Sequence, residues 1–228
     1  MSGSAGVLGL WALLSVARMV SAQDIAPAEI LLFQTNHLRN LHQPATLTYA
    51  FKKLSRVEPS FDDEVRVDVS ALNLDGSASV SMHFLSGERE LAIPEMRYSL
   101  GNPALLGFLE RDIGEMKRRT GGSTNYFRKR IRLALASAAQ VRPVSFAYQG
   151  RQVEGREVSV LPYLDDPLRE RFEKYERKRY VFVISEQVAG GIYQMRTSSP
   201  GSSNGALARA DGLTEESLTL VDVRNSMR

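Results

Sequence analysis

The chain has 228 residues, 43% hydrophobic and 24% charged, with 29 Lys and Arg against 26 Asp and Glu and no cysteine. A chain of this length forms one domain, or a domain with an appendage, and buries roughly 70% of its unfolded surface without needing disulfides or metal. The missing cysteines exclude a disulfide scaffold, a thiolate metal or iron–sulfur site, a cysteine nucleophile and a lipid-modified N-terminal cysteine, and a formal charge of +3 is too small to argue for nucleic acid.

Residues 7–16 (VLGLWALLSV) form an apolar run of signal-peptide length, and Val20, Ser21 and Ala22 supply small or aliphatic residues for cleavage before Gln23. Arg18 stops the run short of the about 20 apolar residues that a membrane-spanning helix needs. The expectation is a leader over 1–22, export, and no membrane anchor after cleavage. Export without cysteine fits a bacterial periplasm better than eukaryotic secretion, which generally exploits disulfides.

After the leader, 28–40 (AEILLFQTNHLRN) predicts a short amphipathic helix with Ile30, Phe33 and Leu38 or Leu41 on its buried side, stopped by Pro44. Three segments of period-2 alternation follow, the signature of strands with one buried face. Leu47, Tyr49 and Phe51 oppose Thr46, Thr48 and Lys52; Val65, Val67, Val69 and Ala71 oppose Arg66, Asp68 and Ser70; Ala78, Val80, Met82 and Phe84 oppose Ser79, Ser81 and His83. Asp75-Gly76 between the last two is a hairpin turn.

Beyond Pro94 the period changes. Asn102-Pro103 reads as a helix N-cap with proline in the first turn; Leu105, Leu109, Ile113 and Met116 make the stripe, and Gly121-Gly122 ends it. A second helix starts at Ser123 or Thr124, buries Phe127, Ile131, Leu135 and Ala138, and ends before Pro143. Strand patterning returns over 144–148 and 153–161, then a short charged helix after Asp165-Asp166-Pro167, then a hairpin of 180–184 and 192–195 around Ala189-Gly190-Gly191. These divide the chain into a single domain over 23–197, a flexible Gly-, Ser- and Ala-rich linker over 198–214, and a tail over 215–228 in which 218–223 adds a late edge strand.

Strands, a helical pair and strands again imply an α+β fold: a curved, mainly antiparallel sheet, an open or half barrel, whose apolar inner face receives the inserted helical hairpin. With the leader, this order of elements over 47–197 resembles the half-open barrels of the periplasmic lipoprotein-carrier superfamily and bacterial periplasmic domains of similar layout. The resemblance implies binding of acyl chains or hydrophobic partners in the concave face, and transfers no residue role.

Between 111 and 132 the cations Arg111, Lys117, Arg118, Arg119, Arg128, Lys129, Arg130 and Arg132 face only Asp112 and Glu115. In a periplasm such a cluster suits lipid phosphates or anionic proteins rather than nucleic acid, while as a plain solvated helix face it complements the helix dipole. His37 and His42 are five apart, where a helical two-His metal site needs four, so no metal and no cofactor are expected. Asp62-Asp63 and Asp165-Asp166 sit at turn or capping positions, and adjacent strand residues point to opposite faces, which makes neither an acid–base pair. No nucleophile elbow or phosphate loop is present.

The sequence therefore points to a periplasmic binding or envelope-assembly protein. Its expected ligand is hydrophobic or lipid-like, held on Tyr49, Phe51, Val67, Val69, Met82 and Phe84 of the inner face with Arg128, Lys129 and Arg132 at an anionic rim; an envelope protein is the other partner. The alternatives are a hydrolase with a dispersed site and a structural protein-interaction module.

Overall fold

The period-2 segments pair in the register their hydrophobic faces demand. In the computed structural model, which describes residues 25–199 and 214–226, β1 (Ala45–Ser55), β2 (Phe61–Leu72) and β3 (Ala78–Phe84) form an antiparallel meander. Leu47 lies opposite Val67 and Tyr49 opposite Val65, while Val67 meets Met82 and Val65 meets Phe84. All six are buried on one face. Gly76 has φ +81°, and Asp75 Oδ1 accepts from the Ser77 amide at 2.9 Å, closing the turn that the sequence announces.

With β4 (Met96–Ser99), β5 (Gln140–Tyr148), β6 (Arg151–Val160), β7 (Arg179–Ile184), β8 (Ile192–Ser199) and β9 (Thr214–Asn225), the strands make one curved, open antiparallel sheet of nine. The order is β4-β3-β2-β1-β9-β8-β7-β6-β5. Here the expected edge strand near the C-terminus is corrected: β9 pairs with both β1 and β8 at the middle of the sheet. One partner, β8, precedes it in the chain, but the other, β1, is distant in sequence, so no local signal reveals that β9 is covered on both sides. The true edges are the short β4 and β5, and β5 begins at Gln140 because an edge strand tolerates Pro143. Of the expected linker, Ser198 and Ser199 belong to β8 and Thr214 to β9. The remainder of that linker and the leader lie outside the described residues.

The helical hairpin is α2 (Pro103–Thr120) and α3 (Thr124–Ser137). The Asn102 side chain accepts from the Ala104 amide at 3.1 Å, Gly121 ends α2 at φ +70°, and Ser123 caps α3 through the Tyr126 amide at 3.1 Å. Helix α2 lies directly on the sheet because Gly107 carries no side chain: a Cβ there would stand 2.4 Å from the Phe84 ring. The inner face is consequently a filled core of Leu47, Tyr49, Phe51, Phe84, Phe108, Met116, Phe182 and their neighbours.

The N-terminal helix is shorter and rotated relative to expectation. Helix α1 (Pro27–Glu29) runs into a π-helical turn, Ile30–Gln34, and stops. Polar side chains beyond it are claimed by other parts of the fold: Asn36 donates to Gly76 O at 2.7 Å, and Asn40 accepts from the Gly190 amide at 3.1 Å. The His37 amide donates to Leu100 O at 2.9 Å. These contacts override helix propensity, and Ala28, Leu32, Leu38 and Leu41 are buried while Ile30 and Phe33 face solvent. The charged segment after Pro167 is likewise a short 3₁₀ stretch, Arg169–Tyr175, rather than an α-helix.

Candidate functional site

Three helical segments leave a groove on the side of the helical layer away from the sheet. Its floor is Leu109 and Ile113 of α2 with Ile131 and Leu135 of α3, its walls include Phe33 and Leu106, and Glu29, Gln34, Glu110, Arg128 and Arg132 complete the lining. The volume of about 380 Å³ lies at the lower end of the range of about 300–1,000 Å³ usual for small-molecule pockets. The floor arises from the helical stripes read in the sequence, whose four residues are themselves buried at its base. The walls do not follow from those stripes: Leu106 is the large apolar residue that falls off the α2 stripe, and Phe33 is turned outward by the π-turn.

The rim is electrically uneven. Arg128 is fixed by Glu110 in a two-point pair, Nε to Oε1 at 2.9 Å and Nη2 to Oε2 at 2.7 Å, with Nη1 donating to Asn125 at 2.9 Å. Arg132, one turn along the same helix, makes no ion pair or side-chain hydrogen bond among the described residues, so its guanidinium is available. Lys129 is exposed and does not line the groove.

The six sheet residues expected at the ligand are placed elsewhere. Tyr49, Phe51, Val67, Val69, Met82 and Phe84 are all buried in the core beneath α2, and none of them lines the groove. The structure thus brings Arg128 and Arg132 to one apolar groove and leaves the sheet residues as its foundation.

A polar seam crosses the inner face at one end. Phe51, Leu218, Met195, Phe182 and Val158 form an apolar row of cross-strand neighbours; the next row is Lys53, Glu216, Thr197, Tyr180 and Val160. Lys53 donates to Glu58 at 2.6 Å, and Arg111 donates to Glu216 at 3.0 Å while lying 5.0 Å over the Phe51 ring. Above Tyr180, α2 supplies Asp112, which is 1% exposed. Lys178 donates to its Oδ1 and the Tyr180 hydroxyl to its Oδ2 at 2.5 Å. Since Tyr180 has spent its one proton there, the hydroxyl of Tyr163, 3.1 Å away, donates to it. Burial, with Asp112 beside it, pushes the Tyr180 hydroxyl well above its ordinary value, and burial likewise raises Glu216 despite the opposing Arg111 charge. Each of these charges has a partner, as buried charges require. The cavity among Asp112, Lys178 and Glu216 measures about 20 Å³, the size of a water molecule.

The histidines and paired aspartates stay apart. His37 is buried between Leu31 O, 2.8 Å from Nε2, and the Asn102 amide, which donates to Nδ1 at 3.2 Å. An amide can only donate, so Nδ1 is unprotonated and Nε2 carries the hydrogen. Burial lowers the pKa of His37, partly offset by its bond to Leu31 O. His42 and His83 are exposed, the latter with Nδ1 3.3 Å from Glu90. Asp63 Oδ2 accepts from the Ser86 amide at 3.3 Å. Asp166 accepts from the Leu168 amide at 2.8 Å and from Tyr126, and Arg130 Nε stands 2.8 Å from its Oδ2, an ion pair outside hydrogen-bond geometry. Among the described residues no three His, Asp or Glu side chains gather as a metal-binding group, and no helix is long and apolar enough to cross a membrane.

No protein-family model matches the chain, and no curated protein sequence matches it. Among solved structures the chain is similar to the Mycobacterium tuberculosis lipoprotein LppX, at 10% identity and a TM-score of 0.32 over 80% of this chain and 88% of that one. LprF from Mycobacterium bovis gives 11% identity and a TM-score of 0.31, covering 88% of this chain and 94% of its own. A LolA superfamily protein from Nitrosomonas europaea gives 10% and 0.24 over the same shares. The likeness is one of architecture, at the level of layout and not of residues.

Proposed function

We propose that the protein is exported to a bacterial periplasm and there holds an amphiphile, an apolar chain with an anionic head, in the groove between α1, α2 and α3. The groove carries this reading: an apolar floor open between Phe33 and Leu106, beside the unpaired cation Arg132. Burying an acyl chain between the exposed Phe33 and Leu106, over the floor of Leu109, Ile113, Ile131 and Leu135, removes apolar surface of chain and walls from water at about 25 cal/mol per Å², and Arg132 supplies charge complementarity for the head. In this reading Tyr49, Phe51, Val67, Val69, Met82 and Phe84 support the helices from beneath. Export is supported by the leader-like run over 7–16 and by the absence of cysteine.

The test is a titration of delipidated protein with a dansyl-labelled fatty acid, together with native mass measurement of protein purified without detergent. Saturable one-site binding that Leu106→Glu abolishes, or a lipid-sized adduct, supports the reading. Absence of both a bound adduct and saturable probe binding overturns it.

A further inference from the structure

Charge in this molecule is segregated onto the helical layer. Helices α2 and α3 carry eight cations (Arg111, Lys117, Arg118, Arg119, Arg128, Lys129, Arg130 and Arg132) against three acids (Glu110, Asp112 and Glu115), an excess of five where the whole chain has three. Asp112 is buried with Lys178, and Glu110 and Glu115 are held by arginines. What the layer shows to solvent is therefore cationic: Lys117, Lys129 and Arg132 are exposed and have no ion-pair partner among the described residues.

The same surface carries large apolar side chains that no other described residue covers. Leu106 is 48% exposed, Leu133 46%, Phe33 51% and Ile30 43%. On α3, Lys129 is three residues from Arg132 and four from Leu133, so the three share one face of the helix. On α2, Leu106 and Lys117 are eleven residues apart, three helical turns along one side. Phe33 and Leu106 flank the groove mouth. Exposed cations interleaved with exposed apolar groups are the chemistry of an interfacial surface.

We infer that the solvent face of the helical layer docks on an anionic lipid bilayer, seating Leu133, Leu106 and Phe33 at the headgroup level and Lys117, Lys129 and Arg132 against lipid phosphates. The charge complementarity selects the occupant: a second copy of this chain would oppose cations to cations, whereas an anionic leaflet neutralises them. Among the described residues the one free carboxylate of the groove rim is Glu29, on α1 across from α3. The inference goes beyond the groove reading and does not require an occupied groove, although it would point the groove mouth at the membrane.

The experiment is vesicle co-sedimentation of the full chain with vesicles of phosphatidylglycerol and phosphatidylethanolamine, and with vesicles of phosphatidylcholine alone. Wild type and variants share the leader, so their differences report on the helices. Preferential sedimentation with the anionic vesicles is expected, weakening with salt and falling roughly fivefold for each cation removed in Lys129→Gln and Arg132→Gln; Leu133→Asp should lose binding as well. Equal binding to both vesicle types, no sedimentation, or wild-type behaviour of K129Q/L133D overturns the inference. Sedimentation abolished by a soluble fatty acid would mean that only monomeric amphiphile is recognised, and also overturns it. Because Lys129 and Leu133 do not line the groove, K129Q/L133D should keep wild-type affinity for the dansyl fatty acid. Loss of probe binding with vesicle binding intact would remove the groove reading alone.

Discussion

The Tyr180 hydroxyl donates to Asp112 Oδ2 at 2.5 Å, tying the middle of α2 to β7 through a buried carboxylate whose other oxygen holds the Lys178 ammonium. Asp112→Ala would leave that ammonium buried and unpaired, which costs about 3–5 kcal/mol. The double variant Asp112→Leu with Lys178→Met removes both charges and should recover most of the loss. Urea unfolding of Asp112→Ala, Lys178→Met and the double variant checks this. A double variant as unstable as Asp112→Ala would show that the charges themselves, and not their pairing, sustain the fold.

Gly107 sits where α2 touches β3, with the Phe84 ring 2.4 Å and the Met82 methyl 3.0 Å from the place of a Cβ. Alanine gains roughly 1 kcal/mol of helix propensity over glycine, but here it must displace a fully buried ring, an overpacking cost of about 1–3 kcal/mol. Gly107→Ala is therefore expected to be neutral to mildly destabilising, and Gly107→Val to destabilise by more. A chemical denaturation series over the three residues tests the order; a stabilising valine would mean that the helix stands off the sheet.

His37 makes stability depend on pH in a stated direction. Its folded pKa lies below its unfolded value because burial disfavours the imidazolium, so at mildly acidic pH the unfolded chain binds more protons. The His37 contribution to stability should be flat above about pH 6.5 and fall as pH decreases from there towards the folded pKa. Glu58 contributes separately. Burial raises it, but Lys53, Arg118 and Arg119 prevail and hold it at about 2, so its contribution persists at neutral pH and is lost only as pH falls below the ordinary carboxylate range. Melting temperatures between pH 7.5 and 5 should slope for wild type and flatten for His37→Gln; an unchanged slope in the variant would place the titration elsewhere.

The parts of this fold that local chemistry dictates were readable from sequence. The β1–β3 meander follows from unbroken alternation and the Asp75-Gly76 turn, and α2 from Asn102-Pro103 at one end and Gly121 at the other. What depended on distant partners was not. Lys53 has the inward parity of Tyr49 and Phe51, yet its charge argues for solvent until Glu58, and Glu216 beside it on β9, are seen to receive it. Asp112 falls four residues after Phe108, inside the buried sector of α2, and a carboxylate in an apolar stripe was the one available sign of the seam. The groove was half legible. Leu109, Ile113, Ile131 and Leu135 were readable as stripes, whereas Phe33 was turned outward by loop contacts of Asn36, His37 and Asn40 that no local pattern encodes.

The contrast between Arg128 and Arg132 gives the groove a charge test of its own. Arg128 is neutralised by Glu110 and Arg132 is not, so Arg132→Ala should weaken a fatty-acid ligand several-fold, an exposed charge contact of about 1 kcal/mol, while leaving the corresponding fatty alcohol unaffected. Glu110→Gln acts in the opposite sense. It releases the Arg128 guanidinium from its two-point pair and adds a second free cation to the rim, so the same fatty acid should bind about two- to fivefold more tightly. Competition titrations against the dansyl probe measure both changes. If the acid and the alcohol respond alike to Arg132→Ala, or if Glu110→Gln weakens the acid, the head of the ligand lies away from this rim and Arg132 has only a surface role.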